Sequence, residues 1–215
     1  MKLGVLGTGM VGNGVASKLV GAGHEVRMGS RTADNAKALE WVKINGPKAS
    51  NGTFADAAGF GEVNFNCTAG VASLEALKLA GPRNLKGKIL VDISNPLDFS
   101  QGMPPTLTVC NTDSLGEQIQ RAFPEVKVVK TLNTVNINVM VNPSLVPGGH
   151  DIFMSGNDEG AKTQVRGMLK DWFGWNSVID LGDITTARGT EMYLALWIRM
   201  MVANQSPNFN IKIMK

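Results

Sequence analysis

Residues 7–12 read Gly7-Thr8-Gly9-Met10-Val11-Gly12, a G-x-G-x-x-G hexapeptide. It closes the apolar run Lys2–Gly7 and opens a segment in which Val11, Val15 and Leu19 share one helical stripe. A second strand-like run begins at Glu25. Strand, glycine turn, helix and strand in that order give each glycine a physical task. Gly7 allows the tight turn, Gly9 lets backbone approach a pyrophosphate, and Gly12 lets the helix pack closely on the strand. The free amides and positive dipole end of that helix then face the phosphates. A glycine-rich turn without a ligand is the bland alternative.

The rest of the chain continues the pattern. Short β-branched runs lie at Lys2–Gly7, Glu25–Gly29, Val63–Cys67, Lys88–Asp92, Val126–Lys130, Asp151–Ser155 and Ser177–Asp180, with helical patterns between them. Alternation of this kind marks βαβ units and a parallel sheet buried on both faces. Ser114-Leu115-Gly116-Glu117 fits a capping box. Val165, Met168, Leu169, Trp172 and Phe173 repeat at helical spacing, and Gly174 stands where a C-terminal cap belongs. A last helix over Thr186–Val202 is apolar around most of its circumference, and an alternating tail of Phe209, Ile211 and Ile213 follows. The expected fold class is α/β, a doubly wound, mostly parallel Rossmann sheet with a short C-terminal helical substrate cap. The expected division is a nucleotide-binding domain over 1–182, with 183–215 covering the substrate site.

At 215 residues and 43% hydrophobic, the chain has the material for one buried domain and a small appendage. Its net charge of +3 comes without a Lys/Arg run, which argues against a nucleic-acid partner. Cys67 and Cys110 lack metal-type spacing, and no secretory signature accompanies them, so neither a metal site nor a disulfide is expected. No apolar stretch has the length of a membrane span. The cytoplasm is the expected location.

The end of the second strand selects the nucleotide. A domain preferring NAD places Asp or Glu there to accept the ribose hydroxyls. This chain reads Arg27-Met28-Gly29-Ser30-Arg31-Thr32. Ser30 and Thr32 offer hydroxyls, and Arg31 can pair a 2′-phosphate through its planar fork. NADP(H) is therefore the expected cofactor. The alternative has Ser30 capping the next helix and Arg31 solvated at the surface.

Ligands of open α/β sheets bind beyond the carboxyl ends of the strands. The loops there offer Thr68, Ser94, Asn95, Asn133, Thr134, Asn136 and Asn138, all neutral hydrogen-bonding groups. Hydride transfer between stacked rings is mainly a positioning problem, so no catalytic acid or base is expected. His24 and His150 each precede a strand, at an amino end, and read as structural or solvated. Lys130 ends a strand and either reaches the site or lies on the surface. Cys67 reads as a small buried hydrophobe or a reactive thiol, and Asp92 and Asp98 as acids or loop caps. The terminal helix, with Tyr193, Trp197 and Met200, is either core against the sheet or a second subunit, or a wall over a flat substrate.

With the glycine loop and the Gly29-Ser30-Arg31 turn go Asn95-Pro96-Leu97, Leu132-Asn133-Thr134-Val135 and Asn210-Ile211-Lys212-Ile213. Over nearly its whole length the chain resembles the NADP oxidoreductases dependent on the deazaflavin coenzyme F420. The first two motifs are shared with other NADP-binding proteins, among them the cytosolic domains of STEAP-type metalloreductases. The resemblance implies that Thr8, Gly9, Met10 and Val11 line the pyrophosphate, and Ser30 and Arg31 the 2′-phosphate. It places Thr68-Ala69-Gly70 near the nicotinamide ribose and Asn95 near the nicotinamide. Pro96, Leu97, Asn133, Thr134, Asn136, Trp197 and Met200 are expected on the acceptor side. Asn35 stands where the family carries a Lys five positions after the Ser, and Lys37 would lie on another helix face.

The expected activity is hydride transfer between NADP(H) and a flat redox acceptor such as coenzyme F420. A non-catalytic NADP(H)-binding redox sensor is the alternative, as is an NADPH-dependent flavin, ferric or imine reductase. Imine and 3-hydroxyacid enzymes carry a long helical C-terminal domain absent from this sequence. The expected partners are a small-molecule acceptor and a second copy of the chain, with no membrane involved.

Overall fold

The computed structural model describes residues 1–214. In chain order its elements are β1 (Lys2–Leu6), α1 (Met10–Gly21), β2 (Glu25–Ser30), α2 (Ala36–Asn45), β3 (Ala49–Thr53), α3 (Phe54–Phe60), β4 (Val63–Asn66), α4 (Gly70–Ala80), α5 (Pro82–Leu85) and β5 (Ile89–Asp92). They continue with β6 (Leu97–Asp98), β7 (Thr106–Leu107), α6 (Leu115–Ala122), β8 (Lys127–Thr131), α7 (Ile137–Val141), β9 (Ile152–Gly156), α8 (Glu159–Met168), β10 (Val178–Asp180) and α9 (Ala187–Asn204). Eight strands form one sheet in the order β10-β9-β8-β5-β4-β1-β2-β3, and β6 with β7 makes a small separate hairpin. From β3 to β8 the neighbours are parallel. The mostly parallel α/β sheet expected from the sequence is present.

Successive side chains of a strand leave opposite faces, and both faces here are covered. Val5 and Val91 enter one apolar layer with Val15, Val26, Phe65 and Trp175. Their neighbours Leu6 and Leu90 enter the other, with Phe54, Leu77, Ile119 and Val128. That two-sided burial is why these strands read as unbroken apolar runs.

Several local expectations change. The edge strand β3, Ala49-Ser50-Asn51-Gly52-Thr53, has no apolar run to announce it. Its pairing with β2 makes it a strand, with Val26 opposite Ala49, and the Arg27 side chain donates to Ser50 Oγ at 3.2 Å. Only half of the capping box at Ser114 forms: Ser114 Oγ accepts from the Glu117 amide, while the Glu117 carboxylate accepts from the Ser114 hydroxyl and from Arg188 in place of the Ser114 amide. The helical pattern after Glu159 ends in one π-type turn, and Gly174, at φ +88°, caps it as expected.

The largest change concerns direction. Strand β9 runs antiparallel to β8, with Val129 opposite Gly156 and Thr131 opposite Met154. The start of β9 therefore lies at the carboxyl ends of the parallel strands, and His150 lies there too, on the opposite edge from the one expected. Its Nε2–H donates to the Pro143 carbonyl at 2.9 Å, which leaves Nδ1 to accept from the Asn210 amide at 2.8 Å. Of the two roles open to it, structural or solvated, His150 has the structural one. The tail folds back on its own chain: the Asp151 amide donates to the Ile211 carbonyl, and Phe209 stacks on Trp197 at 5.3 Å between centroids. No helix among the described residues is long and apolar enough to cross a membrane.

Candidate functional site

The glycine loop joins β1 to α1. Gly7 has φ +118°, and its amide donates to the Gly29 carbonyl at 2.9 Å, tying the loop to the end of β2. Helix α1 begins at an N-cap, Gly9, that supplies no side chain, and its first turn carries no acid. Its leading amides are thus left for an outside acceptor. A Cβ at Gly12 would lie inside van der Waals contact with the Gly7 carbonyl oxygen. The close packing assigned to Gly12 therefore has a measurable consequence. Gly12→Ala is expected to lower unfolding stability by about 1–3 kcal/mol through overpacking, as read from urea titration.

A pocket of about 300 Å³ opens beside this loop, with Gly7, Thr8, Gly9, Ser30, Arg31 and Asn35 on one side. Phe54, Cys67, Thr68, Ala69, Ala72, Glu75, Ala76 and Leu79 complete it. Helix α4, which forms the opposite wall, also starts without a side-chain cap, at Ala69. Arg31 is exposed and, among the described residues, has no hydrogen bond or ion pair. Ser30 is buried, and its hydroxyl donates to the Thr32 carbonyl. It does not cap α2: Asn35 Oδ1 does so, accepting from the Ala38 amide at 3.2 Å. That use removes Asn35 as a substitute for a phosphate-binding Lys, and Lys37 lines a different groove, with Met10 and Trp41. Thr32 is exposed and outside the pocket, Val11 packs against the core, and Glu75 at the rim is a carboxylate the sequence reading had not placed there.

Beyond β4, β5 and β8 the loops meet through amides. Asn95 Nδ2 donates to the Asn133 carbonyl at 2.9 Å, and Asn133 Nδ2 donates to Asn95 Oδ1 at 3.0 Å. The chain turns into this contact through Leu132, a buried non-glycine residue at φ +62°. Residues held in that left-handed region concentrate at functional loops. Gly70 is pressed against the same place: a Cβ there would fall on the Asn95 carbonyl oxygen. Asn133 Oδ1 and Thr134 Oγ1 are buried with no partner. Thr134 lines an apolar pocket of about 200 Å³ with Phe153, Leu181, Gly189, Thr190, Tyr193 and Ile211.

The other expected acceptor-side residues are placed differently. Asn136 uses its side chain to cap α7, accepting from the Asn138 amide at 2.9 Å. Trp197 is buried against Phe209, with Leu97 packed on the same small cluster, and the Pro96 carbonyl accepts from the Thr108 amide. Trp197 and Met200 are not among the pocket's lining residues.

Lys130 is neither at the surface nor in a pocket. Its ammonium is wholly buried, 2.6 Å from Asp92 Oδ2, 2.8 Å from Glu191 Oε1 and 2.8 Å from the Ser94 carbonyl. Burial alone would depress its pKa, but the two carboxylates outweigh it and the net shift is upward. Asp92 is thus an ion-pair partner, and Asp98 is a loop cap for Ser100. Burial pushes the Cys67 thiol well up, so it is the small buried hydrophobe of the two readings. His24 rests on Trp172 at 4.2 Å between centroids. Glu191 escaped the sequence reading, although it is the one carboxylate within the apolar stretch of α9. No cluster of His, Cys, Asp or Glu able to hold a metal exists among the described residues.

Comparison with known proteins decides the family. Residues 2–96 match the model of the NADP oxidoreductase, coenzyme F420-dependent family. A solved structure from Arthrobacter sp. FB24, assigned as an F420-dependent NADP reductase, is 52% identical over 100% of both chains with a TM-score of 0.94. The chain belongs to this family. The F420-dependent NADP reductase of Methanothermobacter marburgensis is 28% identical over 99% of this chain and 98% of that protein. A reductive aminase of Aspergillus terreus in complex with NADPH has a TM-score of 0.68 at 22% identity, covering 94% of this chain but 62% of that one. That last likeness concerns the fold. As a member of the NADP oxidoreductases, the chain is an NADP(H)-dependent enzyme, and its two uncapped helix starts and the Arg31 guanidinium suit such an anion.

Proposed function

We propose that this oxidoreductase moves a hydride between NADPH and the deazaflavin ring of coenzyme F420. The observation that carries the reading is the unpaired, exposed Arg31 at the rim of a pocket floored by the glycine loop. In this reading Thr8, Gly9, Met10 and Val11 present backbone to the pyrophosphate, with Gly7 and Gly12 shaping the turn. Ser30 and Arg31 take the 2′-phosphate, Ser30 by turning its hydroxyl from the carbonyl of Thr32, which itself stays outside the pocket. Phe54, Ala76 and Leu79 supply apolar walls for the adenine. Thr68, Ala69 and Gly70 guide the ribose toward Asn95, and the bound cofactor supplies hydride chemistry there. Residues 183–215 serve as the cover of the acceptor side.

The apolar pocket beside Thr134 and Tyr193 suits one edge of a flat ring, with two unpartnered polar atoms, Thr134 Oγ1 and Tyr193 Oη, for its heteroatoms. The Asn95–Asn133 amide contact on the adjoining loops fits direct hydride transfer, whereas imine or carbonyl reduction asks for a positioned proton donor, for which Tyr193 is the candidate at the pocket. The test is NADPH oxidation against F420, free flavins, ferric chelates and quinones, with NADH as control. Turnover with NADPH and F420, and much less with NADH, is expected. Tight NADPH binding without turnover of any acceptor would replace this reading with a redox sensor.

A further inference from the structure

Hydride transfer makes no direct use of Lys130, yet every loop at the nicotinamide end leads to it. Thr68 Oγ1 donates to Asn66 Oδ1 at 2.7 Å, and Asn66 Nδ2 donates to Asp92 Oδ1 at 2.8 Å. Asp92 Oδ2 meets the Lys130 ammonium, which also meets Glu191 on α9. Glu191 accepts from the amides of Leu115 and Gly116 at 2.8 and 2.9 Å, at the start of α6. The third ammonium contact is the carbonyl of Ser94, next to the Asn95 that bridges to Asn133. One buried cation thus joins the ends of β4 and β5, strand β8, helix α6 and helix α9.

We propose that Asp92, Lys130 and Glu191 form a positioning network that sets the Asn95 loop and α9 at a fixed spacing. It controls alignment at the nicotinamide end rather than the tightness of cofactor binding. The inference rests on the NADPH reading above. Stability alone is a weak reason for such a cluster, because well-packed apolar side chains of similar volume do as well or better. Direction is what the cluster adds. An ammonium is held by direction as well as charge: the Ser94 carbonyl accepts its hydrogen bond, and Asp92, on the same stretch at the end of β5, and Glu191 on α9 pair with it from two sides, whereas apolar contacts tolerate sliding. The adenosine half of the nucleotide is held elsewhere, by the glycine loop and Arg31. Hydride transfer needs its atoms within about 3–3.5 Å, and a 1 Å misplacement costs about 100-fold.

Glu191→Gln keeps the shape and removes one charge, and Ser94→Ala is a milder cut that removes one hydroxyl bond to Asp92. For each, NADPH affinity, the fluorescence of the bound reduced nicotinamide, thermal midpoint and single-turnover oxidation by F420 are measured. Glu191→Gln is expected to bind NADPH within about threefold of the parent, lose the ring's emission enhancement, and slow the hydride step about 10- to 100-fold. Ser94→Ala should move in the same direction by less. Unchanged ring emission and rate in a folded variant overturn the proposal, as does a loss of affinity equal to the loss of rate. Should Glu191→Gln not fold, Ser94→Ala alone decides by the same criteria. A parent that binds NADPH but passes no hydride to F420 defeats the acceptor reading, and ring emission then judges the network by itself. A parent that binds no NADPH defeats both.

Discussion

Arg31→Ala is expected to weaken NADPH binding about 10- to 100-fold, corresponding to the roughly 1.5–3 kcal/mol of a charge-assisted hydrogen bond, and to leave NADH binding nearly unchanged. The residue stands at the rim of the pocket, exposed and without a partner among the described residues, so its removal leaves no buried group unsatisfied. The thermal midpoint should therefore stay close to that of the parent. Nearby groups limit compensation: Asn35 is occupied as the cap of α2, and Lys37 faces another groove. The loss should also shrink at high salt, because part of it is the attraction of a cation for a phosphate. Isothermal titration with NADPH and NADH at low and high salt checks all of this. Equal weakening of both nucleotides would show that Arg31 serves the adenine or the fold instead of the 2′-phosphate.

Lys130→Met is expected to have the largest effect on stability, a loss of about 3–5 kcal/mol, because it strands charges that were buried as a pair. Met has nearly the volume of Lys, so the loss would not come from a cavity. Asp92 keeps its bonds from Asn66 and Ser94, and Glu191 keeps those from Leu115 and Gly116, which sets the lower end of the range. In the parent, Lys130 has a raised pKa, so its contribution is complete below the ordinary lysine value and fades only as pH rises through the raised one. Urea titration of the parent and of Lys130→Met measures the loss, and adding Asp92→Asn, which removes one stranded charge, is expected to recover part of it. No recovery would mean that lost packing, not stranded charge, causes the deficit.

Much of the architecture was legible because it rests on local rules. The strands of the parallel core announce themselves as apolar runs, since both their faces are covered. The glycine spacing is dictated by contacts within one turn, as the Gly7 carbonyl beside Gly12 illustrates. The Ser30-Arg31 turn is a matter of residue type at one strand end. Strand β3 was not legible, because Asn51 and Gly52 become strand only through pairing with β2. Asn136 looked like a free polar group in the loops and caps a helix instead. Nothing in a list of loop residues distinguishes an amide aimed at a ligand from one bonded to its own backbone.

The sequence by itself determined the βαβ opening, the mostly parallel class of the sheet and the chemical preference of the adenosine end. Each depends on residues within a few positions of one another, so spacing and residue type suffice. Only the tertiary structure decided that β9 runs backwards, which put His150 at the carboxyl-end side. Only it showed that Lys130 lies in the interior between Asp92 and Glu191, residues far from it along the chain. Strand direction and ion pairing are settled by groups distant in sequence that meet once the chain has closed, and no local pattern records which of them will meet.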